Sequence, residues 1–154
     1  MGWIYQRAGL DEIEKLTETR IMVLRAANRL PEDADMGEVR EHTFHYYAKA
    51  LRDGTHIAWL VYDGDRLIGT GGVSFFQVMP TCHNPSGHKA YIMNMYTDPA
   101  YRRRGVARGT LDRLVGEIRA RGVAAISLEA TEMGRPLYEK YGFVKMNDEM
   151  ELPQ

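Results

Sequence analysis

Two apolar runs that read as strands, Tyr91–Thr97 and Ala124–Ala130, stand on either side of a segment in which Leu111, Leu114, Val115 and Ile118 recur at helical steps. A strand, a helix and a second strand in that order make a parallel crossover, and such crossovers are right-handed almost without exception. The helix spans about Arg104–Arg121 and stops near Gly122, while the first strand stops at Asp98-Pro99. Around this unit Trp3–Arg7 reads as an opening strand, and Leu10–Ala27 as a helix with Ile13, Leu16, Ile21 and Leu24 at helical steps. Met36–Leu51 reads as a second helix. Ile57–Tyr62 and Leu67–Phe76 flank Asp63-Gly64-Asp65-Arg66, a hairpin turn. Met133–Tyr141 reads as a short helix and Val144–Leu152 as a last strand. The expected class is therefore mixed α/β (α+β), with a mixed sheet, in one domain over residues 1–154.

Between the first strand and the helix stands Tyr101-Arg102-Arg103-Arg104-Gly105-Val106-Ala107-Arg108. The start of a helix already carries a partial positive charge, and each cation placed there costs roughly 0.3–1 kcal/mol. Either this is a solvated basic turn or something negative offsets it. The first N–H groups of a helix lack internal partners, and with Gly105 at the turn they could donate to phosphate oxygens while the arginines supply charge. Its position between strand and helix favours a phosphate-bearing ligand. A Walker loop needs Gly-Lys-Ser/Thr, and a dinucleotide fingerprint needs G-x-G-x-x-G. This segment has neither.

Arg102-x-x-Gly105-x-Ala107 resembles the Q/R-x-x-G-x-G/A pyrophosphate loop of the GNAT N-acetyltransferase superfamily, which holds coenzyme A. Family members precede the loop with a strand and an Asp-Pro pair, here Met95-Tyr96-Thr97-Asp98-Pro99. They end in an aromatic-glycine-phenylalanine box, here Leu137-Tyr138-Glu139-Lys140-Tyr141-Gly142-Phe143. The resemblance covers about Tyr91–Phe143; Thr131 and Gly134 depart from it, standing where many members carry asparagine and alanine. It implies the acyl-CoA N-acyltransferase fold, with a central sheet of roughly six to seven strands flanked by about four helices. It also implies acetyl-CoA as cofactor, bound by Met95, Tyr96, Thr97, Arg102, Arg103, Arg104, Gly105, Val106, Ala107, Arg108 and Thr131.

Whole-chain quantities narrow the partners. A net charge of −1 gives no global attraction to nucleic acid or to an anionic membrane, so the arginines form a local feature. No apolar run approaches the roughly 20 residues that span a bilayer, and no signal segment opens the chain, so the expected location is the cytoplasm. The single cysteine, Cys82, cannot form an internal disulfide. A metal site with His83 and His88 lacks any second cysteine or supporting spacing, and no metal is expected.

Acetyl transfer to an amine has three requirements. A donor must meet the oxyanion of the tetrahedral intermediate, and the resemblance implies a backbone N–H near Met95–Tyr96. The departing thiolate needs a proton, which a phenol with a reference pKa of about 10 can supply. In the family's box that residue corresponds to Tyr138, whose alternative role is a core aromatic. The amine must lose a proton. Glu129, at the end of the strand, is the leading candidate base, with His45, His83 and His88 as rivals and bulk water as a further acceptor. A substrate pocket lined by Tyr46, Tyr47, Phe75 and Asn94 suits a small polar molecule, although Tyr46 and Phe75 also suit a core. The expectation is acetylation of a small-molecule primary amine, with a protein or peptide amine as runner-up and a non-catalytic acyl-CoA binding module third. A homodimer is the default assembly from the resemblance.

Overall fold

The computed structural model describes residues 2–154. Five strands form one sheet in chain order, β1 (Ile4–Arg7), β2 (His56–Asp63), β3 (Arg66–Gln77), β4 (His88–Thr97) and β5 (Ala125–Leu128). Neighbours are antiparallel except β4 and β5, which run parallel and are joined through α3 (Val106–Ala120). The other helices are α1 (Ile13–Asn28), α2 (Gly37–Asp53) and α4 (Arg135–Tyr141).

Alternation along β2 sorts the helices onto two faces. Ala58, Leu60 and Tyr62 meet Leu16 of α1 and Tyr47 of α2, whereas Ile57 and Trp59 meet the apolar stripe of α3. That stripe, Leu111, Leu114 and Ile118, is fully buried, and each such side chain contributes about 1.5–3 kcal/mol. The helix lies close because β3 presents glycine to it. A Cβ on Gly71 would stand 2.6 Å from Met95 Sδ and 2.7 Å from Thr110 Cγ2.

The expected sheet of six to seven strands is corrected to five among the described residues. Val144–Leu152 forms no strand, and Val144, Met150 and Leu152 are 84%, 98% and 93% exposed. Its alternating apolar residues would need a neighbouring edge, but β5 is only four residues long, and Asn147-Asp148 disfavours extended pairing.

Candidate active site

β4 pairs with β3 from His88 to Thr97, but its pairing with β5 stops at Ile92. Between the Gly72–Met93 and Thr70–Tyr96 pairs, β4 holds one residue more than β3, and Asn94 takes a left-handed conformation with φ of 62°. Such a bulge bends and twists its strand. Because β5 ends at Leu128, the stretch from Met93 to Thr97 has no neighbouring strand on that side among the described residues. Its free peptide groups suit an extended, amide-bearing ligand, since sheltered backbone polar groups are almost always paired. Met95, Tyr96 and Thr97 all lie on this stretch.

More unpartnered donors stand beyond the end of the same strand. Asp98 Oδ1 accepts from the Ala100 N–H at 2.9 Å and shapes the 3₁₀ turn Pro99–Tyr101, from which Arg102–Gly105 leads into α3. Arg103 and Gly105 have φ of 63° and 91°, and Gly105 caps α3 without a side chain. The first bond within the helix runs from the Gly109 N–H to the Gly105 carbonyl at 3.0 Å. The N–H groups of Val106, Ala107 and Arg108 are thus left to an outside acceptor. Val106 offers only its backbone, since its side chain is buried with Val61 and Ile68.

The arginines divide. Arg104 lies over the rings of Trp3 and Tyr101 at 5.2 and 5.3 Å. Arg108 lies over Tyr141 at 4.6 Å, with Asp112 at 3.6 Å. Arg102 Nε donates to the Thr97 carbonyl at 3.2 Å, and both Arg102 and Arg103 are exposed. Charge available to an anion rests mainly on these two. Thr131 is occupied locally, its Oγ accepting from the Gly134 N–H at 3.1 Å. The donors, the charge and the free strand edge fit a pyrophosphate joined to an amide chain.

Tyr138 sits between α4 and the α3 face of the sheet, 8% exposed, with Phe143 edge-on at 6.0 Å. Burial alone raises its pKa, so the phenol keeps its proton at neutral pH. It lines a cleft of about 620 Å³ shared with Leu128, Ala130 and Phe143, a cleft that none of Arg102–Arg108 lines. Glu129 is exposed and lies beside Tyr91, whose pKa is raised by burial first and by the Glu129 carboxylate second. Tyr91 pairs with Ser74, and Ser74 bonds to Tyr46 of α2, so Glu129 belongs to the α1/α2 face. Tyr138 and Glu129 therefore flank the opening from opposite faces.

Of the four residues expected to line a substrate pocket, only Tyr46 and Asn94 come to that face as accessible groups. Tyr47 is buried against Leu16 and Leu60, and burial pushes its hydroxyl up to about 12. Phe75, one residue after Ser74, points to the other face, where it packs in the α3 core with the Arg121 guanidinium 4.1 Å from its ring. That placement corrects the expected pocket.

Four residues passed over in the sequence stand here instead: Arg20, His56, Ser74 and Tyr91. The Tyr46 hydroxyl lies 2.7 Å from Ser74 Oγ and 2.8 Å from His56 Nδ1. His56 is buried, and burial, then the charge of Arg20, push its pKa down to about 4. Arg20 reaches from α1 to the bulge, where Nη1 donates to Asn94 Oδ1 at 3.0 Å. The signal for Arg20 was its place four residues after Leu16, on the buried stripe of α1.

A sequence model described as the acetyltransferase (GNAT) family matches residues 22–143. The crystal structure of a predicted acetyltransferase from Clostridium acetobutylicum with acetyl-CoA is similar at a TM-score of 0.89 and 32% identity, covering 99% of this chain and 96% of that one. An uncharacterized N-acetyltransferase, YsnE, of Bacillus subtilis is 32% identical over 90 residues, 55% of this chain, and the match spans about half of that relative, 54%. The ribosomal protein bS18-alanine N-acetyltransferase of Escherichia coli K12 is 28% identical over 109 residues, 69% of each chain.

Proposed function

The chain belongs to the acetyltransferase (GNAT) family and is an N-acetyltransferase that uses acetyl-CoA, and on that premise we propose that its acceptor is the primary amine of a small molecule. The observation that carries the reading is the interrupted pairing of β4 with β5, flanked by Tyr138 on one face and Glu129 on the other. Acetyl-CoA supplies the acetyl group as a thioester, activated for attack by an amine.

The N–H groups at the start of α3, with Arg102 and Arg103, bind the pyrophosphate. The free edge of Met95, Tyr96 and Thr97 binds the amide arm and offers an N–H to the acetyl carbonyl oxygen. Tyr138 holds a proton at its phenol oxygen for the sulfur that leaves. Glu129 takes a proton from the amine on the opposite face, directly or through water. Arg104 and Arg108, stacked on aromatic rings, brace the turn, and Thr131 shapes the approach to α4. A small acceptor is favoured by the polar contacts that Asn94 and the half-buried Arg20 offer where α1 meets β4.

One finding favours a second acceptor, the α-amine of a peptide. The Escherichia coli relative acetylates an alanine of a ribosomal protein. The connection between β3 and β4, which could have closed over a small substrate, is bonded to itself instead. Val78 N–H donates to the Gly87 carbonyl at 2.8 Å, at the opposite end of β4 from the opening.

Thiol release from acetyl-CoA against amino acids, polyamines, amine antibiotics and short peptides separates the two, with Tyr138→Phe in parallel. Release with a small-molecule class that is lost in the variant supports the reading, and release with peptides alone replaces it.

A further inference from the structure

The acceptor face holds a charge that no ion pair among the described residues balances. Arg20 is half-buried, and burial lowers its pKa. None of the ion pairs among the described residues includes it, and Glu18 on the same helix is held by Arg40 at 2.8 Å. The groups around it are neutral at physiological pH, since His56 is deprotonated and the Tyr47 phenol keeps its proton. A guanidinium has five N–H donors, and among the described residues only Nη1 is engaged, with the amide oxygen of Asn94.

Bracing the bulge does not account for this arrangement. A neutral donor would serve Asn94 Oδ1 equally well, without the cost of drawing an unpaired cation out of water. The guanidinium is fixed, moreover, to the bulge residue two places beyond Ile92, where the pairing of β4 with β5 ends, beside the stretch where transfer takes place. A planar fork with free donors at such a point matches the two oxygens of an anion.

We propose that Arg20 is the specificity-determining residue for the acceptor, and that the acceptor is a primary amine that also carries an oxyanion, a carboxylate or a phosphoryl group. The inference rests on the small-molecule reading above. Asn94 sets the plane of the guanidinium, and the anion occupies its remaining N–H groups. The amine is then held toward the free edge of β4, on the face where Glu129 lies.

The test measures kcat/KM for matched pairs, an amino acid with its carboxamide and an aminoalkyl phosphonate with its neutral ester. Wild type, Arg20→Lys and Arg20→Gln are compared, and thermal unfolding checks that each variant is folded. Wild type should prefer the acid member of one pair by about ten- to a hundredfold, the worth of a charge-assisted hydrogen bond. Which pair shows the preference distinguishes carboxylate from phosphoryl. The ratio should fall toward unity in Arg20→Gln and survive in part in Arg20→Lys. A residue that merely braces the bulge would leave the ratio unchanged, because glutamine still donates to Asn94. Equal turnover of acid and neutral members by wild type, or a ratio that survives in Arg20→Gln, overturns the assignment while the small-molecule reading stands. Turnover of peptides with none of either pair overturns both.

Discussion

Replacing Tyr138 with phenylalanine separates the structural role of that ring from its chemistry. Phenylalanine keeps the buried ring and its edge-on contact with Phe143, and the hydroxyl it removes has no hydrogen-bond partner among the described residues. The change in stability should therefore stay within about 0.5 kcal/mol, and in a chain of this size each 1 kcal/mol moves Tm by about 2–4 °C. The expected shift is no more than about 2 °C. Loss of a general acid, by contrast, lowers the rate by about 10²–10⁴-fold, or about 2.7–5.4 kcal/mol of activation free energy at about 1.36 kcal/mol per decade. Affinity for acetyl-CoA should persist, since the groups assigned to hold it lie on β4 and at the start of α3. Because burial raises the phenol pKa, the wild-type rate should show no alkaline decline from this group until above its ordinary value of 10.0. The assays are steady-state thiol release, calorimetric titration with acetyl-CoA and a thermal melt. A kcat within about threefold of wild type would refute the reasoning and return Tyr138 to the core.

Gly105→Val places a β-branched residue at φ of 91°, at a cost of roughly 1–2 kcal/mol, and disturbs the first N–H groups of α3. Acetyl-CoA affinity measured by calorimetry should fall by at least about tenfold, and unchanged affinity would displace the pyrophosphate site. Gly71→Ala drives a methyl group into Met95 and Thr110 and should lower stability in urea by about 1–3 kcal/mol; an unchanged midpoint would mean that α3 yields freely. His56 titrates near 6.5 in the unfolded chain and at about 4 in the fold, so the unfolded state binds its proton first. Stability is therefore whole above the unfolded value and is lost as pH falls from there toward the folded one, by up to about 3 kcal/mol. Denaturant unfolding between about pH 7 and about pH 4.5 should show a shallower dependence for His56→Gln than for wild type, and parallel curves would exclude the effect.

The crossover and the turn at its centre were legible because each depends on a short run of sequence. Leu111, Leu114, Val115 and Ile118 define one helical face, and Arg102–Gly105 forms the turn that leads into it. The face that meets α1 and α2 was not legible in the same way. Adjacent residues on a strand point oppositely, and no local signal says which of Ser74 and Phe75 meets α2; that depends on strand pairing over long distances. The bulge at Asn94 shifts the phase again within β4. Tyr46 and Tyr47 show the same limit on a helix, one reaching Ser74 and the other closed into the core. Val144–Leu152 carries the alternation of a strand, yet alternation makes a strand only where an edge is long enough to receive it.

The open flank of Met93–Thr97 also bears on what holds the chain together. A sheet that leaves its β4–β5 seam partly unsewn has its full hydrogen-bond complement only when a guest supplies the missing half. The folding free energy of this chain then belongs partly to its surroundings, as a function of how much guest is dissolved there. A ligand that binds only the folded form adds about 2.7 kcal/mol at a hundred times its dissociation constant and nothing when it is exhausted. Supply of acetyl-CoA would thus govern how long the protein lasts as well as how fast it works.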